Sequence, residues 1–185
     1  MRLGIDFDGT VTDAPGMQRA YAARRWGIEL TELQVMRAGA VPVLGEERYA
    51  SMGDALWGPL TAVTPPQDDA LRILGRLVAD HDVDIITARH GHQAAFARRW
   101  LAVRGITIRV VNTSAQPKIE ACARLGIDVL LDDDILRHGE ALLAVGTLPV
   151  LYEHPHNREA ARPEGMRSVA NWTAFATLVQ ELELS

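Results

Sequence analysis

The chain begins Met1-Arg-Leu-Gly-Ile-Asp-Phe-Asp-Gly-Thr10-Val-Thr12, and this stretch decides the fold that we expect. A short apolar segment runs into two carboxylates one residue apart, Asp6 and Asp8, and then into a glycine and two hydroxyl side chains. Side chains two positions apart on a strand point to the same side. Adjacent anions at the end of a buried strand repel each other unless a proton or a metal ion neutralises them. The stretch therefore predicts a functional site.

Composition limits the classes of protein that need to be considered. The 185 residues suit one domain, or one core with a small insertion, and 48% apolar residues supply a core. The net charge of −5 argues against binding to nucleic-acid polymers or acidic membranes. Acids at positions 6 and 8 interrupt any signal peptide, and no run approaches the ~18 apolar residues of a membrane span, so we expect a soluble, cytoplasmic protein. The single cysteine, Cys122, excludes an internal disulfide bond and is expected to be buried on a helix.

Short β-rich runs alternate with helical patterns along most of the chain. The runs are apolar on both faces, which is typical of parallel strands covered by helices on both sides. This alternation predicts an α/β fold with a doubly wound parallel sheet. The predicted strands are Arg2–Phe7, Val83–Thr87, Thr107–Asn112, Val129–Asp132 and Leu148–Tyr152.

Four helices are predicted from apolar residues at helical spacing. Pro117 and Gly126 bound the third helix, and Asn171 caps the last one. The inward stripes, in chain order, are Leu71, Leu74, Leu77 and Val78; Phe96, Trp100 and Val103; Ile119, Cys122 and Leu125; and Trp172, Phe175, Leu178, Val179 and Leu182.

The segment 13–65 breaks the alternation of strands and helices. It is too long for a loop and contains helical patterns with several aromatic residues. It predicts a small, mainly helical insertion after the first strand, which leaves 1–12 and 66–185 as the core.

Polar residues follow four of the predicted strands, and doubly wound sheets bind ligands at the carboxyl ends of their strands. We therefore expect these residues to meet at one edge of the sheet. In strand order they are Asp6, Asp8, Gly9 and Thr10; Thr87, Arg89 and His90; Asn112, Thr113, Ser114 and then Lys118; and Asp132, Asp133 and Asp134.

Each of these features also has a purely structural interpretation. The run 132–134 can cap a helix, Thr87 can bond to backbone, and Lys118 can be a solvated surface side chain. Three consecutive carboxylates repel one another, however, and oxygen ligands favour Mg²⁺ over zinc. A lysine at a helix N-terminus is disfavoured by the helix dipole unless an anion such as phosphate lies nearby.

The ordered set resembles the haloacid dehalogenase (HAD) superfamily of phosphohydrolases. The residues that match its four motifs are Asp6–Thr12, Ile85–Thr87, Lys118 and Leu131–Asp133. The resemblance covers about 1–12 and 66–155, and it implies a Rossmann-like core with the insertion 13–65 as its cap.

A narrower resemblance points to the 5'(3')-deoxyribonucleotidase-like group of bacterial nucleotidases. It implies a nucleoside monophosphate as the substrate. The stretches that support it are Ile86–Arg89, Leu131–Asp133, Leu151–Arg158, Pro163–Gly165 and Val169–Trp172.

The superfamily resemblance also implies the roles of individual residues. Asp6 would attack phosphorus to form an aspartyl-phosphate, and Asp8 would protonate the leaving oxygen and then accept a proton from water. Mg²⁺ would be bound by the Asp6 carboxylate, the Asp8 carbonyl and the pair Asp132 and Asp133, with the closer ligand of that pair left open. The phosphoryl group would be bound by Gly9, Thr10, Thr87 and Lys118.

Several other residues have two open interpretations. Arg89 would contact the substrate or form a structural ion pair. Tyr49, Trp57 and Trp26 would stack on a nucleobase or form the core of the cap. No metal role is expected for His90 and His92, and His154 and His156 are expected to be exposed loop residues.

The predicted function is that of a Mg²⁺-dependent phosphatase, and a 5'-nucleotidase in particular. The alternatives are a phosphatase of a sugar phosphate or another small metabolite, and a non-catalytic phosphoryl-binding or signalling module. Receiver domains have their lysine last, whereas here Lys118 precedes the final acid cluster. Asp8 favours hydrolysis of a phosphomonoester, because the phosphatases of the superfamily that the chain resembles have an acid two residues after the nucleophile, whereas its dehalogenases and ion-pumping ATPases lack one. A homodimer is left open.

Overall fold

A single parallel sheet organises the computed structural model, which describes residues 1–184. Its strand order is β3-β2-β1-β4-β5-β6, and every neighbouring pair is parallel. The strands are β1 (Arg2–Ile5), β2 (Asp82–Thr87), β3 (Arg109–Asn112), β4 (Val129–Asp132), β5 (Leu148–Tyr152) and β6 (Arg167–Val169). The predicted doubly wound α/β fold is confirmed.

Eight α-helices accompany these strands within residues 1–184. They are α1 (Ala14–Trp26), α2 (Arg37–Leu44), α3 (Glu46–Leu56), α4 (Ala70–Asp80), α5 (Gly91–Ala102), α6 (Ile119–Leu125), α7 (Gly139–Ala144) and α8 (Trp172–Glu183). Short 3₁₀ helices cover Glu32–Gln34, Pro59–Val63 and Leu136–His138. Over the described residues, no helix is long and apolar enough to cross a membrane.

The strands send alternate side chains into two cores, one on each face of the sheet. On β1, Leu3 and Ile5 belong to the larger core, whereas Gly4 faces the smaller one. A Cβ at Gly4 would come within 2.9 Å of Ile86 Cδ1, so a larger residue there would displace the packing between β1 and β2. Burial on both faces explains why the inner strands β4 and β5 are almost entirely apolar.

The chain leaves the sheet after β1 and returns beside the point where it left. Asp13 N donates to Pro65 O at 2.9 Å, and Gln67 N donates to Val11 O at 2.9 Å. Between them, α1 to α3 and the 3₁₀ helix Pro59–Val63 pack around a hydrophobic cluster that includes Ala22, Leu44 and Met52. This arrangement supports the predicted division at 13–65, which we keep as a proposal.

Four details of the sequence-based description differ from the structure. β1 is shorter than predicted because it ends at Ile5, and β3 begins only at Arg109. The pattern missed α7 and β6, which are too short to show a period. On α5 the predicted stripe is wrong in part: Trp100 is buried, but Phe96 and Val103 are 37% and 70% exposed. The small residues Ala94 and Ala97 face the core instead.

Candidate active site

Three carboxylates meet at the carboxyl ends of the two central strands. Asp6 follows β1, Asp132 ends β4, and Asp133 comes next; β1 and β4 are neighbours through the pair Ile5 and Leu131. One oxygen from each carboxylate lies within 4.8 Å of the other two, and all three residues are buried. These are oxygen-only ligands on a compact, buried cluster, so the residues present fit a Mg²⁺ ion.

Lys118 provides a positive charge inside this cluster. It lies just before α6, and its Nζ donates to Asp6 and, at 2.7 Å, to Asp132 Oδ2. Burial by itself lowers the pKa of Lys118, but the carboxylates of Asp132 and Asp6 outweigh burial and raise the pKa above its usual value. Lys118 is therefore charged and is not the solvated surface side chain of the structural interpretation.

One lysine does not balance three buried acids. Burial raises the pKa of Asp6 to about 7, with Lys118 acting in the opposite direction and Asp132 adding to the rise. Burial and the charge of Asp6 raise the pKa of Asp133 well above its usual value. A bound divalent cation would favour the ionised forms of both groups, and this is the second reason why the cluster fits a metal.

Asp8 is not one of the three clustered carboxylates and pairs with Arg89 instead. The guanidinium makes two parallel contacts, Nε to Asp8 Oδ2 at 2.7 Å and Nη2 to Asp8 Oδ1 at 2.8 Å. Arg89 is 5% exposed, and its Nη1 also has protein partners. The structure thus places Arg89 in an ion pair, and direct contact between Arg89 and a substrate stays a prediction.

Gly9 brings the loop after β1 into contact with Asp133. Its φ is +87°, and a Cβ there would lie 2.3 Å from Asp133 Oδ2. The Gly9 N–H, which was predicted to bind the phosphoryl group, donates to Thr12 O at 2.9 Å. In this structure Gly9 therefore contributes a turn and close packing rather than a free donor.

The two predicted threonines occupy different environments. Thr87 lies at the end of β2 on the cavity wall beside Asp6, and its Oγ1 accepts a hydrogen bond from Arg89 N at 3.3 Å. Thr10 is fully buried and is not among the residues that line the cavity within residues 1–184. Its carbonyl accepts from Trp172 Nε1 at 2.9 Å, and its hydroxyl has no partner among the described residues. A role for Thr10 in phosphoryl binding stays a prediction that this placement does not support.

Two residues that follow β5 hold the acid-bearing loops, and the sequence analysis did not assign them this role. His154 Nε2 lies 2.6 Å from Gly9 O, and because a carbonyl only accepts, Nε2 carries the hydrogen. Asn157 Nδ2 donates to Asp133 O at 2.9 Å, and its Oδ1 accepts from His154 N at 2.7 Å. Both loops are thus anchored to the same segment. The sequence signal that could have identified this role is the run of polar residues after β5, because β5 ends at the same edge of the sheet as the strands that carry the acids.

The prediction that His154 and His156 are exposed loop residues is wrong. Both are half-buried, and their rings stack with centroids 5.3 Å apart. Burial lowers the pKa of His154, and it lowers the pKa of His156 to about 4. Both rings are therefore neutral at pH 7, which suits packing beneath the loop better than solvation.

A cavity of about 820 Å³ connects the carboxylates with the insertion. The core side is lined by Asp6, Asp133, Lys118 and Thr87, and the insertion side includes Gln18, Val35, Tyr49 and Trp57. Within residues 1–184, Trp26 is not among the residues that line the cavity. Its ring packs edge-on against the ring of Tyr21, with the ring centres 5.3 Å apart. Of the three aromatic residues considered for base stacking, the structure thus brings two to the cavity.

Comparison with known proteins finds a similar sequence and several solved structures with a similar fold. No family model matches the chain. It is 25% identical to "Putative nucleotidase BH1399" of Halalkalibacterium halodurans over 97% of this chain and 93% of the relative.

Two solved structures share the architecture. A HAD family hydrolase from Deinococcus radiodurans with bound phosphate and sodium has a TM-score of 0.66 and 20% identity over 99% of this chain and 96% of that one. The D,D-heptose 1.7-bisphosphate phosphatase from B. bronchiseptica, complexed with magnesium and phosphate, has a TM-score of 0.55 and 17% identity over 98% and 99%. The chain therefore has the HAD-superfamily fold, as the sequence motifs indicated.

Replacing Gly9 tests the close contact between the β1 loop and Asp133. Gly9→Ala combines a positive φ with a collision at Asp133, whereas Gly27→Ala, at φ +67°, meets nothing within 4 Å. We expect Gly27→Ala to lower the free energy of unfolding by about 1 kcal/mol and Gly9→Ala to lower it by about 2 kcal/mol or more. Chemical denaturation measures both values. Equal losses would mean that the contact with Asp133 adds nothing.

Magnesium binding is measurable as a shift of the melting temperature. Excess Mg²⁺ should raise the Tm by several degrees relative to EDTA, because an ion that binds only the folded state stabilises it. Asp133→Asn removes one carboxylate of the cluster and should abolish most of this rise. Asp134→Asn, the control at the next position, should keep it, because Asp134 is not part of the buried triad. A full rise in Asp133→Asn would exclude Asp133 as a ligand.

Proposed function

We propose that this protein is a Mg²⁺-dependent phosphomonoester hydrolase that acts through an aspartyl-phosphate. The observation that carries the proposal is that buried Asp6 contacts Lys118 and clusters with Asp132 and Asp133, while Asp8, two residues along the chain, lines the same cavity. A carboxylate can attack a phosphate dianion only when positive charge screens the repulsion between them. The site has that charge in Lys118 and a place for more in the carboxylate cluster.

Asp6 and Asp8 have separate tasks in the proposed reaction. An oxygen of Asp6 forms a bond to phosphorus while the bond from phosphorus to the leaving oxygen breaks. Asp8, in its protonated form, gives its proton to that oxygen. It then accepts a proton from a water molecule, whose oxygen forms a bond to phosphorus while the bond between phosphorus and Asp6 breaks. The product alcohol and inorganic phosphate leave, and both carboxylates return to their starting forms.

The other polar groups bind and screen the phosphoryl group. Lys118, held between Asp6 and Asp132, neutralises developing negative charge, and the Thr87 hydroxyl lies on the same wall of the cavity. The Asp6, Asp132 and Asp133 carboxylates with the Asp8 carbonyl would hold Mg²⁺, which when bound screens the charge of nucleophile and phosphate. The Asp8 side chain is directed to Arg89 instead.

A nucleoside 5'-monophosphate is the substrate that we favour, of the deoxyribonucleotidase type. The cavity volume of about 820 Å³ is ample for a nucleoside beyond the phosphate, and Tyr49 and Trp57 offer aromatic surface on the insertion side. The name of the Halalkalibacterium relative agrees with this choice. The competing substrate is a sugar phosphate, in line with the name of the B. bronchiseptica structure.

Replacing the proposed nucleophile separates catalysis from simple phosphate binding. Asp6→Asn should lower kcat by at least about 1,000-fold, because an amide does not attack phosphorus. Far-UV circular dichroism should show that the fold is intact. The control Asp80→Asn changes an exposed carboxylate at the end of α4 and should retain full turnover. Phosphate release by Asp6→Asn at the rate of the unmodified protein would refute the aspartyl-phosphate mechanism.

A substrate panel tests the choice of leaving group. We expect kcat/KM for nucleoside 5'-monophosphates to exceed that for sugar phosphates by about tenfold or more, and EDTA to abolish both activities. Tyr49→Leu should lower kcat/KM for nucleotides by about tenfold and leave sugar phosphates unchanged, since base stacking contributes about 1–3 kcal/mol. Equal kcat/KM values for the two classes would remove the nucleotidase assignment and leave the phosphatase assignment intact.

A further inference from the structure

Arg89 connects three parts of the molecule through one buried side chain. It follows β2, and its guanidinium holds Asp8 in the loop after β1 through Nε and Nη2. Its Nη1 donates to Thr61 Oγ1 at 2.9 Å and to the carbonyl of Trp57 at 3.2 Å, and both partners belong to the insertion. A third acceptor of Nη1, the carbonyl of Gln93, lies on α5 at 3.3 Å.

The surroundings of Arg89 fix its orientation. The guanidinium carbon lies 4.9 Å from the ring centre of Phe7, and Phe7 is held edge-on against buried Trp100 at 5.4 Å. A buried guanidinium with acceptors on this many sides has few alternative positions. The Asp8 carboxylate opposite it is held in one plane by two parallel hydrogen bonds.

The ion pair leaves one side of Asp8 available to the cavity. A carboxylate has about four lone-pair positions, and the guanidinium uses one on each oxygen. Asp8 also lines the cavity that contains Asp6 and Lys118. The two bonds to Arg89 therefore orient the Asp8 carboxylate and leave lone pairs on both oxygens for other partners, in a residue that lines the space that the substrate would occupy.

We propose that Arg89 is a positioning residue that aligns the Asp8 carboxylate with the leaving oxygen of the substrate, and that Thr61 and the Trp57 carbonyl keep Arg89 in place. This inference rests on the proposed function, because it assigns Arg89 to the proton transfer that Asp8 performs there. The insertion thereby contributes to the chemistry through the orientation of Asp8 and not only through contact with the leaving group.

Leaving groups of different basicity reveal this role. An alkyl phosphate needs a proton on its departing oxygen, whereas 4-nitrophenolate leaves readily without one. The ratio kcat/KM covers the steps up to departure of the leaving group, so it excludes later hydrolysis of the aspartyl-phosphate. We expect Arg89→Gln to lower kcat/KM about 10- to 100-fold for the alkyl phosphate, and only a few-fold for 4-nitrophenyl phosphate.

Arg109 offers a matched control. It forms a bidentate pair with Asp84, with both distances 2.6 Å, between the first part of β3 and β2 and away from the lining of the cavity. Arg109→Gln should leave kcat/KM unchanged for both substrates. In a protein that already carries Asp8→Asn, adding Arg89→Gln should not change the ratio of kcat/KM for the alkyl phosphate to kcat/KM for 4-nitrophenyl phosphate, because the carboxylate that Arg89 positions is absent.

Two further variants keep the test decisive if Arg89→Gln does not fold. Arg89→Lys keeps the charge without the bidentate geometry, and Thr61→Val removes one acceptor with little change in volume. Both should also impair the alkyl phosphate more than the aryl phosphate, and melting curves confirm that each is folded. Equal losses for the two substrates, or none, in every folded Arg89 variant would overturn the inference. An unmodified protein that hydrolyses neither substrate would instead overturn the proposed function.

Discussion

Repulsion among buried carboxylates is the constraint on which the site depends. β1 and β4 are adjacent in the sheet, so Asp6 and the pair Asp132 and Asp133 emerge together at its edge. Burial limits the screening of these charges by water, and Lys118 offsets only part of the repulsion. The same crowding favours a cation at this edge of the sheet, and only the positive charge of that cation, together with Lys118, would make the edge suitable for a phosphate.

The sheet and the acid cluster could be predicted because they arise from short, local patterns. Apolar runs such as Val129–Asp132 define strands that the structure reproduces residue for residue, and the parallel arrangement then brings Asp6 and Asp132 together. Contacts between distant segments leave no such pattern. The bond from His154 to Gly9 joins positions 145 residues apart, and the bond from Arg89 to Asp8 joins positions 81 residues apart. Their partners became known only with the fold.

The buried face of α5 was predicted wrongly in part because the prediction relied on large apolar side chains. Large apolar residues were assigned to the buried face, but of these only Trp100 is buried; the small residues Ala94 and Ala97 fill the rest of that face, and Val103 faces solvent. The histidines after β5 show the opposite error, because polar rings next to prolines suggested a solvated loop. His154 is buried where its ring donates to the Gly9 carbonyl, and His156 stacks on that ring.

The close approach of Asp13 and Pro65 has a consequence for how such a protein can diversify. An insertion whose two ends meet within one hydrogen bond can be lengthened, shortened or exchanged at small entropic cost, and the sheet is unaffected. Because the insertion lines one side of the cavity, such changes would alter the proposed substrate preference and leave the carboxylate cluster in place. Arg89 sets a limit on that freedom: any replacement segment has to present acceptors where Thr61 and the Trp57 carbonyl now lie. A grafted segment without such acceptors would lose the contacts that, in the role we propose for Arg89, orient Asp8.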